Sequence, residues 1–387
     1  MNQPPGTADA AIAAARIHTL GPQGLVEDHA VLLAGGHILE VVPRSQIPEA
    51  VPVLDQGDVD LAPGFVDVQV NGGGGVLFND TPDVDTLRTI AAAHRRFGTT
   101  SLLPTFITDS REKMVAARAA VEQARAERVP GILGAHFEGP FLDPRKTGAH
   151  DRAFVREAAE GDLEGLLGGA SGVTVVTAAA CALGGGVLER LLEAGVQVCL
   201  GHCASTYEEA RAAFAAGVRG ATHLYNAMSP MEGRAPGLVG AVLATPGVFS
   251  GIIVDGIHVD PGAVRAAWRA CGAVGLMLVT DAVHPVGTER TEFELGGQRV
   301  RLDGGRCVNE EGNLAGSALD MASAVRNSVR DCGIPLEDAL RMASETPARF
   351  LGLQETIGSL RPGARADLVA LDAGLRAVRT FVGGRPA

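Results

Sequence analysis

LAPGFVDVQVNGGGG (61–75) is the stretch at which the pattern of the chain changes. Before it lie short strand-like runs separated by turns. After it, short apolar runs rich in β-branched residues alternate with helical stretches, an alternation typical of βα units around a parallel sheet. The first of these runs, Gly64–Val70, leads directly into Asn71 and a run of glycines. The sequence therefore predicts an α/β fold that begins near Leu61.

Eight apolar runs from Leu61 onward predict eight parallel strands. They are Gly64–Val70, Thr99–Pro104, Ile132–Glu138, Val173–Ala178, Val196–His202, Ala221–His223, Ile252–Asp255 and Val274–Asp281. Eight βα repeats are expected of a (β/α)₈ TIM-type barrel. We assign residues 61–357 to this barrel, and residues 1–60 together with 358–387 to a small β-sandwich domain built from both termini.

Helical and terminal segments complete this prediction. The expected helices are Val84–Phe97, Arg111–Arg128, Thr206–Ala216, Pro261–Cys271, Ser317–Arg330 and Leu336–Ser344. The expected strands of the small domain are His29–Ala34, Ile38–Val42, Val51–Leu54, Ala366–Leu371 and Ala377–Val382.

Charge and composition exclude several classes of partner. The formal net charge of −12, with no offsetting basic stripe, argues against a nucleic acid or an anionic membrane surface. No apolar run approaches the roughly 20 residues that span a bilayer. The N-terminus lacks the pattern of a secretory signal, and the six cysteines form no CxxC pair, so we expect a cytoplasmic protein with reduced thiols. An anionic substrate would need a local cation or backbone N–H groups.

Polar side chains gather at the carboxyl ends of the predicted strands, where barrels of this kind place their chemistry. They are Gln69, Asn71, Glu138, His202, His223, His258 and Asp281. Two imidazoles and a carboxylate from strands three, five and six would converge, and such a set with an open position is a known catalytic zinc site. The sequence therefore predicts a metal centre of Glu138, His202 and His223.

Each residue also has a structural interpretation. A single histidine at a strand end is more often a satisfied packing group than a ligand, and a carboxylate there often caps a turn. The Gly72–Gly75 run lacks the GK[ST] ending of a phosphate-binding P-loop and is read as a loop. His136 lies two residues before Glu138, so it points to the same side but one layer deeper, and we expect it to pack rather than ligate.

Several segments together resemble the amidohydrolase superfamily and, within it, the N-acetylglucosamine-6-phosphate deacetylases. They are LAPGFVDVQVNGGGGVLFND (61–80), HFEGPFL (136–142), LGHCAST (200–206), ATHLYNAMSPMEGRAPGLVGA (221–241), GIIVDGIHVD (251–260), LVTDA (278–282), GNLAGSALDM (312–321) and GSLRPGARADLVALD (358–372). The HLYNAM segment with its downstream Gly233-Arg234 is specific to the deacetylases. The resemblance implies hydrolysis of the acetamide of N-acetylglucosamine 6-phosphate to glucosamine 6-phosphate and acetate, in amino-sugar catabolism and cell-wall recycling.

The resemblance also implies roles for individual residues. Asp281 would be the general base and acid. His150 would polarise the carbonyl or bind a sugar hydroxyl. The sugar-phosphate end would be held by His258, Arg234, and the backbone at Asn226 and Ala227. Homodimers are usual in this family.

One departure from the superfamily concerns the metal count. Members usually carry His-x-His after the first strand, where it binds a second metal, whereas this chain reads Gln69-Val70-Asn71. An amide is a poorer ligand for a divalent transition metal than imidazole. The resemblance therefore implies one divalent ion per chain, with Zn²⁺ expected first and Fe²⁺, Co²⁺ or Mn²⁺ as alternatives.

Two other functions compete with deacetylation. One is a different amidohydrolase, such as a cyclic amidase, a dipeptidase or a nucleobase deaminase. The dinuclear cyclic amidases need a carboxylated lysine, but the fourth run ends in Thr177-Ala178. The other is a non-catalytic sugar-phosphate sensor, which would have no need of Asp281 beside a metal.

Overall fold

Strands and helices alternate along most of this computed structural model, which describes residues 7–167, 172–295, 297–312 and 314–387. The strands are β1 (Ala10–His18), β2 (Leu25–Ala34), β3 (His37–Pro43), β4 (Val53–Asp55), β5 (Asp60–Pro63), β6 (Phe65–Val70), β7 (Gly72–Gly73), β8 (Val76–Leu77), β9 (Thr99–Ile107), β10 (Gly134–Glu138), β11 (Val173–Ala178), β12 (Gln197–Leu200), β13 (Gly220–Ala221), β14 (Phe249–Ile252), β15 (Leu276–Leu278), β16 (Glu292–Leu295), β17 (Gln298–Asp303), β18 (Arg306–Asn309), β19 (Leu314–Ser317), β20 (Leu368–Leu371), β21 (Ala377–Val382) and β22 (Arg385–Pro386). The α-helices are α1 (Val84–Arg95), α2 (Arg111–Ala126), α3 (Glu160–Leu167), α4 (Val187–Glu193), α5 (Tyr207–Ala215), α6 (Gly237–Ala244), α7 (Pro261–Cys271), α8 (Met321–Arg330), α9 (Leu336–Ala343) and α10 (Glu345–Phe350).

Strands β6 and β9–β15 form the predicted barrel. They are hydrogen-bonded in chain order, and each paired neighbour runs parallel. An isolated parallel bridge from Val70 to Ala282, just beyond β15, closes the circle at its carboxyl rim. Every residue of β6 is buried, as expected when helices cover the outside of a parallel sheet. The (β/α)₈ fold is therefore confirmed.

The helices begin at side chains suited to cap them. Thr206 and Glu209 form a reciprocal capping box at the start of α5, and Asp260 caps α7 just before Pro261. The segment predicted as a helix from Ser317 begins only at Met321, because Ser317 belongs to β19 and Asp320 is the capping residue. Within the described residues, no helix is both long enough and apolar enough to cross a membrane.

The two termini share one sheet, as predicted. Its order is β22-β21-β20-β5-β1-β2-β3, and β4 pairs with β1 alongside. Strands from both ends of this order contribute to one apolar core, which contains Ile38 of β3 and Phe381 of β21. Strand β1, which lies in the middle of the sheet, was missed because its alanine-rich sequence carries a weak strand signal.

A four-stranded antiparallel sheet, β16–β19, follows the eighth barrel strand and was not predicted. We call it the insertion sheet. Its apolar core includes Phe293 and Val300 and extends onto Val283 and Ile107 at the rim of the barrel. The insertion sheet therefore packs over the carboxyl ends of the barrel strands.

Candidate metal centre

Three predicted ligands meet at one point. The Nε2 atoms of His202 and His223 lie 3.1 Å apart, and Oε1 of Glu138 lies 3.2 Å from the first and 2.8 Å from the second. Among the described residues, these three form a group of metal-ligating side chains, and all are buried. The structure therefore brings together the residues that the sequence pattern selected.

This triangle fits a divalent transition metal. In a tetrahedral site with metal–ligand distances of about 2.0–2.1 Å, ligand atoms lie about 3.3 Å apart, close to the spacing seen here. The other ring nitrogen of His202, Nδ1, is 2.9 Å from the carbonyl oxygen of Lys146, which accepts its proton, so that Nε2 would be free to ligate when a metal replaces the proton there. Two imidazoles and one carboxylate also leave room for a water or a substrate oxygen.

The charges of the three side chains are strongly linked. Burial alone would raise the pKa of Glu138, but hydrogen bonds from His202 and His223 outweigh it and hold that pKa well below its usual range. Burial alone would likewise lower the pKa of His223, yet the hydrogen bond to Glu138 and its charge raise it to about 9. The pocket thus stabilises a positive charge beside Glu138, which a cation would supply in place of the proton.

Asp281 lies beside this centre and is held by two amides. Nδ2 of Asn71 donates to its Oδ1 at 2.7 Å, and Nε2 of Gln69 donates to the same atom at 3.2 Å and to Glu138 at 3.1 Å. Burial and then the nearby charge of Glu138 raise the pKa of Asp281 to about 6. Gln69 and Asn71 therefore act as donors that orient the two carboxylates.

The backbone at these residues is held in an uncommon conformation. His202, His223 and Asp281 have φ values of 47°, 31° and 50°, in the left-handed region that residues other than glycine rarely occupy. Each follows a barrel strand and turns its side chain into the ring. Such strain is a recurrent feature of functional sites.

A cleft of about 220 Å³ opens over the centre. The predicted residues that line it are Asn71, Glu138, His150, His202, His223, Asn226, Ala227, His258 and Asp281. Gln69 lies beneath them, in contact with Glu138 and Asp281. His136 is buried one layer deeper and bonds the carbonyl of Val68 and the hydroxyl of Thr177, as expected of a packing residue.

Two further histidines face the cleft with defined hydrogen bonds. Nδ1 of His150 lies 2.8 Å from the hydroxyl of Thr108 and 3.4 Å from the backbone nitrogen of the same residue. Burial, followed by the neighbouring His202, lowers the pKa of His150 to about 3, which makes it a neutral donor. Nδ1 of His258 lies 2.7 Å from Oδ2 of Asp255, a partner that the sequence analysis did not single out.

The backbone beyond strand β13 has the form of an anion-binding nest. The residues His223, Tyr225 and Ala227 have positive φ, whereas Leu224 and Asn226 between them do not. Alternation of this kind turns successive N–H groups toward one concave side. The nest lies in the segment that, by the family resemblance, would hold the substrate phosphate.

Arg234, unlike Gln69, neither lines the cleft nor contacts a residue of the metal centre in the described hydrogen bonds. Arg234 lies in an exposed segment before α6, and its own side chain is exposed to solvent. It is not among the described residues that line the cleft. Its proposed contact with phosphate therefore stays a prediction.

Sequence reasoning missed the apolar half of the cleft. Ile107, Val283, Leu295, Leu314 and Gly316 also line it. Leu295, Leu314 and Gly316 lie on the unpredicted insertion sheet. The signal available was the alternation in residues 292–295, in which exposed and buried residues follow one another.

The comparison with known proteins agrees with this geometry. The profile of the Amidohydrolase family matches residues 61–386. An N-acetylgalactosamine-6-phosphate deacetylase of Shewanella sp. (strain ANA-3) is 44% identical over 324 residues, 84% of this chain and 82% of that protein. An N-acetylglucosamine-6-phosphate deacetylase of Haemophilus influenzae is 35% identical, covering 93% of this chain and 95% of that protein. The crystal structure of N-acetylglucosamine-6-phosphate deacetylase from Pasteurella multocida superimposes with a TM-score of 0.94 at 36% identity, over 98% of this chain and 99% of that one. The chain therefore belongs to the amidohydrolase family, in the branch that these N-acetylhexosamine-6-phosphate deacetylases represent.

Proposed function

We propose that this protein hydrolyses the acetamide of N-acetylglucosamine 6-phosphate to glucosamine 6-phosphate and acetate, in amino-sugar catabolism and cell-wall recycling. The observation that carries the proposal is the buried triangle of Glu138, His202 and His223 with Asp281 beside it, at the base of a cleft. Membership of the amidohydrolase family makes the protein a metal-dependent hydrolase. The relatives compared above are named as deacetylases of sugar phosphates of this class.

The reaction consumes one water and breaks the C–N bond. When bound, a divalent ion would lower the pKa of a water and polarise the amide carbonyl. Asp281 accepts a proton from the attacking water and returns it to the departing nitrogen, so that the products are a carboxylate and an amine. His150, which is neutral because burial lowers its pKa, is suited to hydrogen-bond the carbonyl oxygen or a sugar hydroxyl.

The opposite side of the cleft would hold the phosphate. In the nest at Tyr225–Ala227 the N–H of Asn226 donates to the carbonyl of His223, so the N–H groups of Tyr225 and Ala227 are the ones proposed to contact an anion. Asn226 and His258 also line the cleft. This matters in a protein with a net charge of −12, since its long-range field repels an anion. Arg234 would add a permanent cation if its segment, or that of a second copy in a homodimer, closes over the site.

One divalent ion per chain is proposed, with Zn²⁺ first and Fe²⁺, Co²⁺ or Mn²⁺ as alternatives. The positions Gln69 and Asn71, at which a second ion would need ligands, are donating their N–H groups to carboxylates. A homodimer is proposed as well, on the family resemblance, and a cytoplasmic location is proposed on the six cysteines, which form no disulfide.

N-Acetylgalactosamine 6-phosphate is a second candidate substrate. The Shewanella relative named for it is 44% identical to this chain, more than the 35% of the Haemophilus relative. The two sugars differ in the configuration of one hydroxyl, at C4, and share the acetamide and the phosphate.

The test is an acetate-release assay on both phosphorylated epimers and on unphosphorylated N-acetylglucosamine, with the metal content measured on the same preparation. We expect kcat/KM for a 6-phosphate to exceed that for the free sugar by at least the tenfold to hundredfold of one charge-assisted contact. The ratio between the two epimers then assigns the natural substrate. No acetate release from either phosphorylated sugar by the metal-loaded protein would reject the proposal.

A further inference from the structure

Apart from Ile253, which follows β14, the large apolar side chains of the cleft lie on β9, after β15 and on the insertion sheet, and we call them the apolar wall. Ile107 ends β9, the second barrel strand, whereas Asn226 and Ala227 follow β13, the sixth. In a ring of eight strands the second and sixth are diametrically opposite. The ligand triangle comes from the ends of β10, β12 and β13, and Asp281 follows β15, so these groups line the same cleft as both sides.

The chemistry of the proposed substrate matches this polarity. In a hexosamine 6-phosphate the phosphate is attached through C5 and the N-acyl group through C2, and these two carbons are opposite corners of the six-membered ring. With the phosphate at the nest and the amide at the metal triangle, the acyl chain must point toward the apolar wall. A methyl group is also the one part of the substrate that gains free energy by contact with leucine and isoleucine side chains.

Two leucines separate this wall from a second cavity. Leu295 and Leu314 line the catalytic cleft and also line a neighbouring cavity of about 550 Å³. The remainder of that cavity is largely polar and includes Thr147, Arg152 and Gln298. Gly148, Ala149 and His150 also line both cavities, so the two leucine side chains are the large apolar part of the boundary between them.

We propose that Leu295 and Leu314 form the end wall of an N-acyl subsite and restrict the protein to short N-acyl groups. This inference rests on the proposed function, since it assigns the direction of the substrate within the same cleft. Removal of either side chain would join the subsite to the second cavity and admit longer acyl chains.

The experiment measures kcat/KM for glucosamine 6-phosphates carrying N-formyl, N-acetyl, N-propanoyl and N-butanoyl groups, by release of the free amine. One methylene in such a pocket is worth about 10- to 200-fold in discrimination. The unaltered protein should therefore lose at least tenfold from acetyl to butanoyl. In Leu314→Ala and Leu295→Ala, the butanoyl-to-acetyl ratio should rise by about tenfold or more.

A variant that is expected to shift the acyl-chain preference in the opposite direction distinguishes an effect on the subsite from misfolding. Leu314→Phe shortens the subsite and should raise the formyl-to-acetyl ratio about tenfold. Leu302→Ala is the matched control, because Leu302 lies in the same sheet and packs against its core but lines neither cavity among the described residues. Its acyl-chain profile should equal that of the unaltered protein.

The outcomes separate the inference from the proposed function. Unchanged acyl-chain ratios in all three wall variants, with acetyl activity retained, would overturn the subsite and leave the deacetylase proposal intact. A change in Leu302→Ala equal to that in the wall variants would also overturn it, because the effect would then come from the sheet as a whole. Absence of acetyl activity in the unaltered protein would reject the proposed function itself.

Discussion

The side-chain amides of Gln69 and Asn71 hold the two carboxylates of the metal centre, Glu138 and Asp281, by hydrogen bonds. Each donates a hydrogen bond to Asp281, and Gln69 also bonds Glu138. Two buried carboxylates so close would repel one another without such donors, and the charge of Glu138 already raises the pKa of Asp281. Neutral N–H groups therefore replace part of the stabilisation that a second cation would give.

We accordingly expect one tightly bound divalent ion per chain. His202→Ala and His223→Ala should each remove that ion and the activity together, since two remaining ligands hold a metal poorly. Metal analysis after dialysis against a weak chelator measures the count. Two retained ions per chain, the second bridged to the first, would contradict the single-metal site.

Asp281→Asn should separate catalysis from binding. The amide keeps the Oδ1 acceptor that Asn71 and Gln69 bond, but it has no carboxylate to accept the proton of water. We expect kcat to fall by about 10²–10⁴-fold, the usual contribution of a general acid–base group, with metal content unchanged. Near-full turnover in this variant would show that Asp281 is a structural residue.

Arg234→Ala tests the role of an arginine that is exposed and outside the described lining of the cleft. If the guanidinium reaches the substrate phosphate, its loss should lower kcat/KM for the phosphorylated sugar about tenfold to a hundredfold. The unphosphorylated sugar serves as the control and should be almost unaffected. Equal losses on both sugars would assign Arg234 to the fold or the metal site.

At the scale of the element, the barrel strands could be predicted because burial on both faces demands continuous apolar, β-branched runs. Strand β11 agrees with its predicted bounds, Val173–Ala178. The sixth run was placed at Ala221–His223, whereas β13 ends at Ala221, because His223 turns into the left-handed region to face the metal triangle. The ligands were still identified, since a polar residue just past a buried strand is visible in the sequence.

The insertion sheet shows what could not be predicted. Its strands are short and half exposed, so their apolar residues are too few to mark a core from sequence. Its contact with the barrel through Val283 and Ile107 depends on how two hairpins fold back, which no local pattern encodes. The alternation in residues 292–295 could have indicated a strand, but its place on the apolar side of the cleft follows only from the tertiary structure.

Helix α5 depends on its capping box. Thr206 Oγ1 accepts from the backbone N–H of Glu209, whose carboxylate accepts from the N–H of Thr206. Thr206→Ala should lower the free energy of unfolding by about 0.5–2 kcal/mol, measured by urea denaturation. Thr206→Ser keeps the acceptor and should retain most of the stability, and both variants should retain the metal. A neutral Thr206→Ala would mean that α5 is held by packing alone.

At the scale of the whole molecule, strand β20 joins the two cores. Val369 and Leu371 pack in the barrel core, whereas Leu368 and Ala370 pack in the core of the terminal sheet. Successive residues of a strand point to opposite faces, so one short strand serves both. We propose residues 1–60 with 358–387 as a small domain and 61–357 as the barrel domain, although β5 extends the sheet to Pro63.

Because β20 packs in both cores, we expect the two proposed domains to unfold as one cooperative unit. Leu371 is fully buried, so Leu371→Ala leaves a cavity at the junction and should lower the free energy of unfolding by about 2–5 kcal/mol. Val378→Ala is the matched control, since Val378 is 55% exposed on the neighbouring strand β21 and its loss should cost about 0.5 kcal/mol or less. Urea denaturation followed by circular dichroism and by metal release should give one coincident transition for each variant. A Leu371→Ala protein in which the terminal sheet melts first while the barrel keeps its metal would show that the two domains are stable separately.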